Sequence, residues 1–388
     1  MKEVQLKDVC TFINGDRGKN YPSADKISKE NIGVPFINAG LLSNNLVDWE
    51  NMNYISEETF NKLGSGKIQK DDILYCLRGS LGKHAIIDFD GNGAIASSLV
   101  ILRCNKEIID PRFLLIQLDM DKIILQQNQA NNGSSQPNLS ANSVKQYNIK
   151  LTDMEKQKEI IYKFNKITEI IKTKKEQVEN LELLVKSQFV EFFGDVIKNE
   201  KNFLYKRIDE VSTIVTGTTP DTSNKDYWDG DVKWITPAEI EKNAFYIKDT
   251  ERKLTEEGRK SKALTIMPIG TVLFTSRAPI GKTAIAGSEM CCNQGFKNCI
   301  CTDEINNIYL YSVLKYNAKY FDNLGTGATF RELSKSNFSK IQISIPPIEL
   351  QNQFAEFVKL IDKQKFEIEK SLNEMEELYD SLMEEYFG

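Results

Sequence analysis

Residues 160–194 read IIYKFNKITEIIKTKKEQVENLELLVKSQFVEFFG, and residues 354–388 read FAEFVKLIDKQKFEIEKSLNEMEELYDSLMEEYFG. In the first stretch Ile160, Phe164, Ile167, Ile171, Lys174, Val178, Leu181, Val185, Gln188 and Phe192 follow a 4-3-4-3 spacing. Only Lys174 and Gln188 interrupt its apolar character. The second stretch repeats the spacing through Phe354, Val358, Ile361, Lys365, Ile368, Leu372, Met375, Tyr379, Leu382 and Tyr386, with Lys365 the one charged member. An ordinary amphipathic helix drifts away from a strict 3.5-residue period over this length, so a sustained seam predicts helices that pack on each other as a coiled coil. At 1.5 Å per residue a helix over 160–192 is about 50 Å long.

The offset between the two stretches is 194, and the chain has 388 residues, twice that number. The repetition extends outside the helices. Leu6-Lys7-Asp8-Val9 returns as Ile208-Asp209-Glu210-Val211, and Leu74 to Lys83 returns as Leu273 to Lys282 at an offset of 199. Gly133…Leu139-Ser140 returns as Gly327…Leu333-Ser334, Glu155-x-Gln157 as Glu349-x-Gln351, and Ser187…Phe193-Gly194 as Ser381…Phe387-Gly388, all at 194. One module is used twice, with a head that tolerates insertions and a tail that does not.

The heads read as mixed α/β. Asp72 to Cys76 and Gly270 to Phe274 are short apolar runs between turn residues and predict strands. Helical patches near 111–128 and 305–321 precede glycine loops at Gly133 and at Gly325-Thr326-Gly327. Thr152 or Asp153 is a plausible cap for the first long helix, and Pro346-Pro347 ends the run before the second. The expected layout is α+β: a head over 1–150, a spacer helix in 151–200, a second head over 201–345 and a C-terminal spacer helix in 346–388. The second head begins about ten residues after the first helix ends. An antiparallel helix pair with pseudo-two-fold symmetry therefore needs no long return of the chain across a head with a radius near 15 Å.

Composition removes many activities. His84 is the only histidine, so multi-imidazole metal sites and H-E-x-x-H helices are excluded, and a Ser–His–Asp triad would have to use this one residue in a strand-and-turn run. The seven cysteines, at 10, 76, 104, 291, 292, 299 and 301, include no C-x-x-C pair. The 291–301 cluster reads as reduced thiols on neighbouring strands rather than a metal site. Ile280-Gly281-Lys282-Thr283 resembles the end of a phosphate-binding loop, but Ser276 stands where that loop needs glycine, and the first copy ends in His84. Pro346-Pro347 lacks the Asn/Asp and aromatic neighbours of a methyltransferase motif. Pro220-Asp221 with Glu251-Arg252-Lys253 loosely fits a nuclease pattern and has no counterpart in the first half. No apolar leader or run of about 18 apolar residues is present, which predicts a soluble cytoplasmic chain without membrane contact.

The net charge of −5 is an average. Residues 1–150 hold 17 basic and 17 acidic side chains, 201–345 hold 20 and 17, and 346–388 hold 4 and 11. An acidic helix does not face phosphate, whereas local clusters such as Arg17-Gly18-Lys19 and Arg259-Lys260-Ser261-Lys262 can, or are ordinary solvated faces. The pairs Arg78/Arg277 and Lys83/Lys282, kept in both copies of one hairpin, could reach phosphate or a guanine edge, or serve only to cap the turn.

Several motifs together carry a family resemblance. They are Gly217-Thr218-Thr219-Pro220, Tyr227-Trp228-x-Gly230, Trp234-Ile235-Thr236-Pro237, Arg277-Ala278-Pro279-Ile280-Gly281, Asn293-Gln294-Gly295, Gly133 to Ser140, and Ile345-Pro346-Pro347…Glu349-x-Gln351. Together, and in a duplicated chain, they resemble the specificity subunit of Type I restriction–modification systems. The first head departs from the pattern, with Asn14-Gly15-Asp16-Arg17 for the Gly-Thr-x-Pro turn and Ala96-Ser97-Ser98 near the place of Asn-Gln-Gly. The resemblance implies a non-catalytic DNA-binding subunit whose heads are target-recognition domains, each reading half of a split target in double-stranded DNA. It implies a spacer built on Ile160, Phe164, Ile167, Ile171, Val178, Leu181, Phe354, Val358, Ile361, Ile368, Leu372 and Met375, and docking of two methyltransferase subunits and of restriction/translocase subunits. S-adenosylmethionine and ATP with Mg would belong to those partners, leaving no cofactor or metal in this chain. The candidate DNA contacts are Arg17, Lys19, Arg78, Lys83, Lys233, Arg277, Lys282, Asn293 and Arg331. At 3.4 Å per base pair, about 50 Å corresponds to roughly 15 base pairs between head centres. The competing reading is a coiled-coil scaffold whose twin heads bind protein or sugar.

Overall fold

The structure, a computed structural model, describes residues 1–131, 138–241, 244–327 and 331–388. The Gly133-to-Pro137 portion of the first glycine loop lies outside them. The chain forms two compact units, one of residues 1–174 with 371–388 and one of residues 175–370.

In the first unit the strand Lys2–Gln5 pairs antiparallel with Asn148–Leu151, closing the head and delivering the chain to the long helix. The central sheet has the order Cys10–Asn14, Leu99–Cys104, Ile73–Cys76, His84–Ile86, all antiparallel. Its inner strands are buried on both faces, which is why they read as unbroken apolar runs rather than alternating ones. Ile73, Tyr75, Val100 and Leu102 face the helices, while Leu74, Cys76, Leu99 and Ile101 face a second core under Ile37, Leu41 and Leu42. A smaller sheet places Val34–Ile37 between Tyr54–Ile55, antiparallel, and Ala94–Ile95, parallel.

The second unit repeats this plan. Leu204–Arg207 pairs with Gln342–Ile345, and the central sheet runs Ser212–Val215, Asn298–Cys301, Val272–Phe274, Thr283–Ala286, with Tyr246–Ile247 added in parallel at the edge. The smaller sheet places Trp228–Ile235 between Arg252–Leu254 and Cys291–Cys292. The expected helical patch is two helices in each head. Pro111–Leu118 and Asp121–Ala130 break at the extended Met120, and Asn307–Tyr316 and Ala318–Asn323 break at Asn317.

The long helices are Met154–Phe193 and Ile348–Phe387. The first starts earlier than its apolar seam because Asp153 accepts the Lys156 amide at 2.9 Å. It ends where Gly194 takes φ +62°, a left-handed conformation that suits glycine. Every position of both seams is buried or half-buried. In the first unit the helices meet through Phe164 and Tyr379, ring centres 5.1 Å apart, and through Lys163 Nζ donating to the Tyr386 hydroxyl at 2.8 Å. In the second, Lys365 pairs with Glu182 at 2.6 Å and Phe354 lies 5.6 Å from Phe189, so residue numbers rise on one helix as they fall on the other. Polar Lys365 is tolerated on the seam because Glu182 compensates its charge.

All seven cysteines are free. Cys291-Cys292 belong to the small sheet and Cys299 and Cys301 to the central one, so the cluster spans two strands that are consecutive in the chain and lie in different sheets. Burial pushes the Cys291 thiol up to about 11 and Cys292 and Cys299 up to about 12, which keeps them protonated. Among the described residues no group of three His, Cys, Asp or Glu is placed to hold a metal, and no helix is long and apolar enough to cross a membrane.

Candidate nucleic-acid interface

Each head builds the same surface from segments far apart in sequence. Its centre is the hairpin that joins Ile73–Cys76 to His84–Ile86 in the first head and Val272–Phe274 to Thr283–Ala286 in the second. In the first head the Cys76 amide donates to the Lys83 carbonyl at 2.8 Å and the Gly82 amide to Cys76 at 3.1 Å. In the second, Thr275 donates to Lys282 at 2.9 Å and Gly281 to Thr275 at 3.0 Å. The hairpin rim then binds two more segments. Leu77 donates to Ser98 and accepts from Leu139, and Ser276 donates to Gly295 and accepts from Leu333, all at 2.8 Å. The repeated Leu-Ser pair is thereby explained: Leu139 and Leu333 are buried, while Ser140 and Ser334 cap short helices by accepting from Ser143 and Asn337.

The glycine turn completes the surface. A Cβ on Gly15 would stand 2.4 Å from the Ala96 carbonyl oxygen, and one on Gly217 only 1.7 Å from that of Cys292. Asn14-Gly15-Asp16-Arg17 is thus the spatial counterpart of the Gly217 turn despite its different letters. In the second head Trp234 Nε1 donates to the Thr218 carbonyl at 3.2 Å and Thr219 Oγ1 to Gln294 Oε1 at 2.8 Å. Lys282 Nζ reaches the Pro237 carbonyl at 3.4 Å.

The charged groups are committed to different degrees. Lys19 and Lys83 are exposed and have no side-chain partner among the described residues. Arg17 donates to the Ser97 carbonyl at 3.1 Å, beside an Asp16 carboxyl held below its ordinary range by the Gly18 and Gly64 amides. Arg78 donates to Asn138 at 3.3 Å, and Arg277 to Glu332 at 3.0 Å. Lys233 donates to the Lys248 carbonyl at 2.6 Å, Asn293 accepts from the Gly295 amide at 2.8 Å, and Arg331 is held by Asp322 at 3.1 Å. His84 is buried, its Nδ1–H donating to the Gly82 carbonyl at 2.8 Å, so the one imidazole braces the hairpin.

Three groups escaped the sequence reading. Lys297 is buried, its Nζ 3.0 Å from Ser276 Oγ and 3.4 Å from Glu332, and burial lowers its pKa. In the first head Val100, Leu77 and Asn138 occupy the corresponding places, so the Lys–Ser–Glu set belongs to the second head alone. Adding the 194 offset to Asn138 would have found Glu332, whereas Lys297, between Phe296 and Asn298, carried no comparable signal. The third group is Arg252, which lies against Trp228 and Trp234.

The fold and these paired surfaces define a duplicated module: two mixed α/β heads with matching scaffolds and unlike rims, each packed on paired long helices. The Type I restriction modification DNA specificity domain matches residues 1–180 and 200–377, and the chain belongs to that family. Its relatives include the Type I restriction enzyme MjaIX specificity subunit of Methanocaldococcus jannaschii, 38% identical over 171 residues that cover 43% of this chain and 40% of that protein. The putative MjaX specificity subunit of the same organism is 24% identical over 95% of this chain and 89% of its own. The HindI specificity subunit of Haemophilus influenzae is 22% identical over 90% of each. Two solved structures share the fold. The Type-I restriction-modification system S subunit from M. genitalium has TM-score 0.63 at 14% identity over 100% of this chain and 96% of its own. A chain from a study of complex assembly and conformational transition of the type I R-M system has TM-score 0.61 at 18% identity, over 99% and 97%.

Proposed function

We propose that this chain is the non-catalytic, sequence-reading subunit of a Type I restriction–modification complex, with residues 1–150 and 201–345 each reading one half of a split DNA target. The observation that carries this reading is a common scaffold with different rims. The same hairpin presents Arg78 beside Asn138 and Ala96-Ser97-Ser98 in one head, and Arg277 beside Glu332 and Asn293-Gln294-Gly295 in the other. Two donor–acceptor patterns on one scaffold suit two unlike half-sites. Lys19 and Lys83, with no competing partner among the described residues, are the readiest phosphate contacts. Arg17, Arg78, Lys233, Arg277, Lys282 and Asn293 would first exchange an internal bond, and Arg331 is the most firmly held of the set.

The spacer segments, 151–200 and 346–388, would set the unread gap and dock two methyltransferase subunits, with restriction/translocase subunits completing the complex in the cytoplasm. S-adenosylmethionine, ATP and Mg would act in those partners.

Replacing residues 1–150 with the first head of another specificity subunit is expected to change one half-site only, read by mapping methylated adenines genome-wide in cells carrying the chimera. A change in both halves would sink the modular reading. Deleting four residues from one long helix removes about 6 Å of rise and breaks the seam register. The preferred gap should then shift or be lost, and an unchanged gap would refute the ruler.

A further inference from the structure

Arg252 lies on an edge strand of the small sheet of the second head, directly opposite Trp234 in the register. Its guanidinium carbon is 3.5 Å from the centre of the Trp228 ring and 5.6 Å from that of Trp234. The register shifts between Trp228 and Val232, so that both lie opposite Leu254, and this irregularity shortens the path from Trp228 to Trp234. The two indoles meet edge to face, centres 5.2 Å apart at 82°. Neither ring is free to swing, because Trp228 Nε1 donates to the Asp221 carbonyl at 3.0 Å and Trp234 Nε1 to Thr218 at 3.2 Å. The Asp221 of the nuclease-like pattern therefore braces, through its backbone carbonyl, an aromatic seat for the arginine. The Lys253 of that pattern pairs with Asp249 at 3.3 Å.

The guanidinium itself is exposed and finds no hydrogen bond or ion pair among the described residues. Contact with the Trp228 ring at 3.5 Å holds the group in place and leaves its N–H donors without a protein acceptor among the described residues. A planar fork of this kind matches a two-oxygen acceptor, and an arginine already held loses less freedom when it binds one. Trp234 joins this seat to the Gly217–Pro220 turn, so Arg252 extends the interface described above. In the first head the small sheet carries Phe36 against Tyr21, and Asn53 donates no charge at this place.

We infer that Arg252 is a backbone-phosphate anchor of the second head for duplex DNA, a role that rests on the DNA-reading function proposed above. A side chain whose guanidinium is held against Trp228 has little reach left for the floor of a groove. A phosphate on the outside of the duplex comes to it. The anchor fixes the position of the second head without reading sequence.

The test uses the specificity subunit assembled with its methyltransferase partner, binding its target duplex and a panel with each base varied, across a range of salt concentrations. R252Q should weaken binding to every duplex about equally, by roughly 10-fold, and reduce the slope of log K against log salt by about 0.9. R252K should keep the slope and recover only part of the affinity, since the charge survives and the fork does not. An unchanged slope in R252Q overturns the inference, as does relaxed preference at a single base, which would make Arg252 a base reader. A wild-type complex that binds no duplex overturns the DNA-reading function as well, whereas normal wild-type binding with an unaffected R252Q overturns the anchor alone. Tryptophan emission and thermal unfolding matching the wild type exclude collapse of the aromatic seat as the cause.

Discussion

Phe193→Ala is expected to lower the stability of the unit formed by residues 175–370 by about 3–5 kcal/mol, the range for emptying a large aromatic site in a core. Phe193 ends the first long helix and is fully buried. Its ring lies 4.8 Å from Tyr309 on a helix of the second head and 5.3 Å from Phe354 at the start of the second long helix. Phe387 occupies the same place in the duplicate, fully buried, 5.4 Å from Phe113 of the first head and 6.1 Å from Phe164. Phe387→Ala is therefore expected to loosen the first head, although the substitution is the penultimate residue of the chain and follows the second. At roughly 2–4 °C per kcal/mol for a domain of this size, each change should lower the corresponding melting transition by about 6–20 °C. Hydrogen exchange locates the effect. Phe193→Ala should speed exchange around 307–316, and Phe387→Ala around 111–118. If Phe387→Ala left the first head's protection unchanged and loosened the second, the antiparallel packing of the helix ends would be wrong.

Gln351→Leu is expected to cost the same unit about 3–5 kcal/mol despite the similar volume of the new side chain. Gln351 is fully buried, with Oε1 accepting the Asn306 amide at 2.8 Å and Nε2 donating to the carbonyls of Pro346 at 2.8 Å and Glu304 at 3.2 Å. It fastens the entry to the long helix to the start of the helix Asn307–Tyr316, whose cap is Asn306. Gln157 does the same in the first head, accepting from Asp110 at 2.8 Å and donating to Thr152 at 2.8 Å and Ile108 at 2.9 Å. Leucine removes the partner of three backbone groups, each worth about 1–3 kcal/mol when fully buried, and because two of these bonds are only part-buried the total stays toward the low end. Chemical denaturation measures the total, and faster exchange of the Asn306 amide identifies the cause. A loss under about 1 kcal/mol would mean that water replaces the glutamine and that the clamp is dispensable.

The repeated motifs are of two kinds. Glu-x-Gln, Leu-Ser, the terminal Phe-Gly and the Leu/Ile-x-x-Val of the first turns are structural: a clamp, a buried plug with its cap, a core anchor with a helix stop, and a pair of core side chains. They were visible because each depends on local spacing or recurs at one offset, and folding requires them in both copies. The rim residues were visible only in part. Arg78 and Arg277 sit at the same place in the hairpin, but Asn138 and Glu332 reach them from 60 and 55 residues away.

The helix seams, the duplication and the apolar strands were all legible from residue order, because periodicity is a property of one chain read in line. The equivalence of Asn14-Gly15-Asp16-Arg17 with the Gly217 turn was not, since it rests on a glycine lying against a carbonyl from a distant strand, a steric requirement that leaves the neighbouring letters free. Nor was the buried Lys297, which is stable only because Ser276 and Glu332 arrive beside it, or the seat of Arg252, which needs a register shift in the strand to bring two indoles together. Local order thus determined that two similar heads exist on paired helices. Only tertiary structure decided which charges are neutralised inside each head and which remain free to meet a ligand, because the energy of a charge depends on its neighbours in space and on its exposure to water.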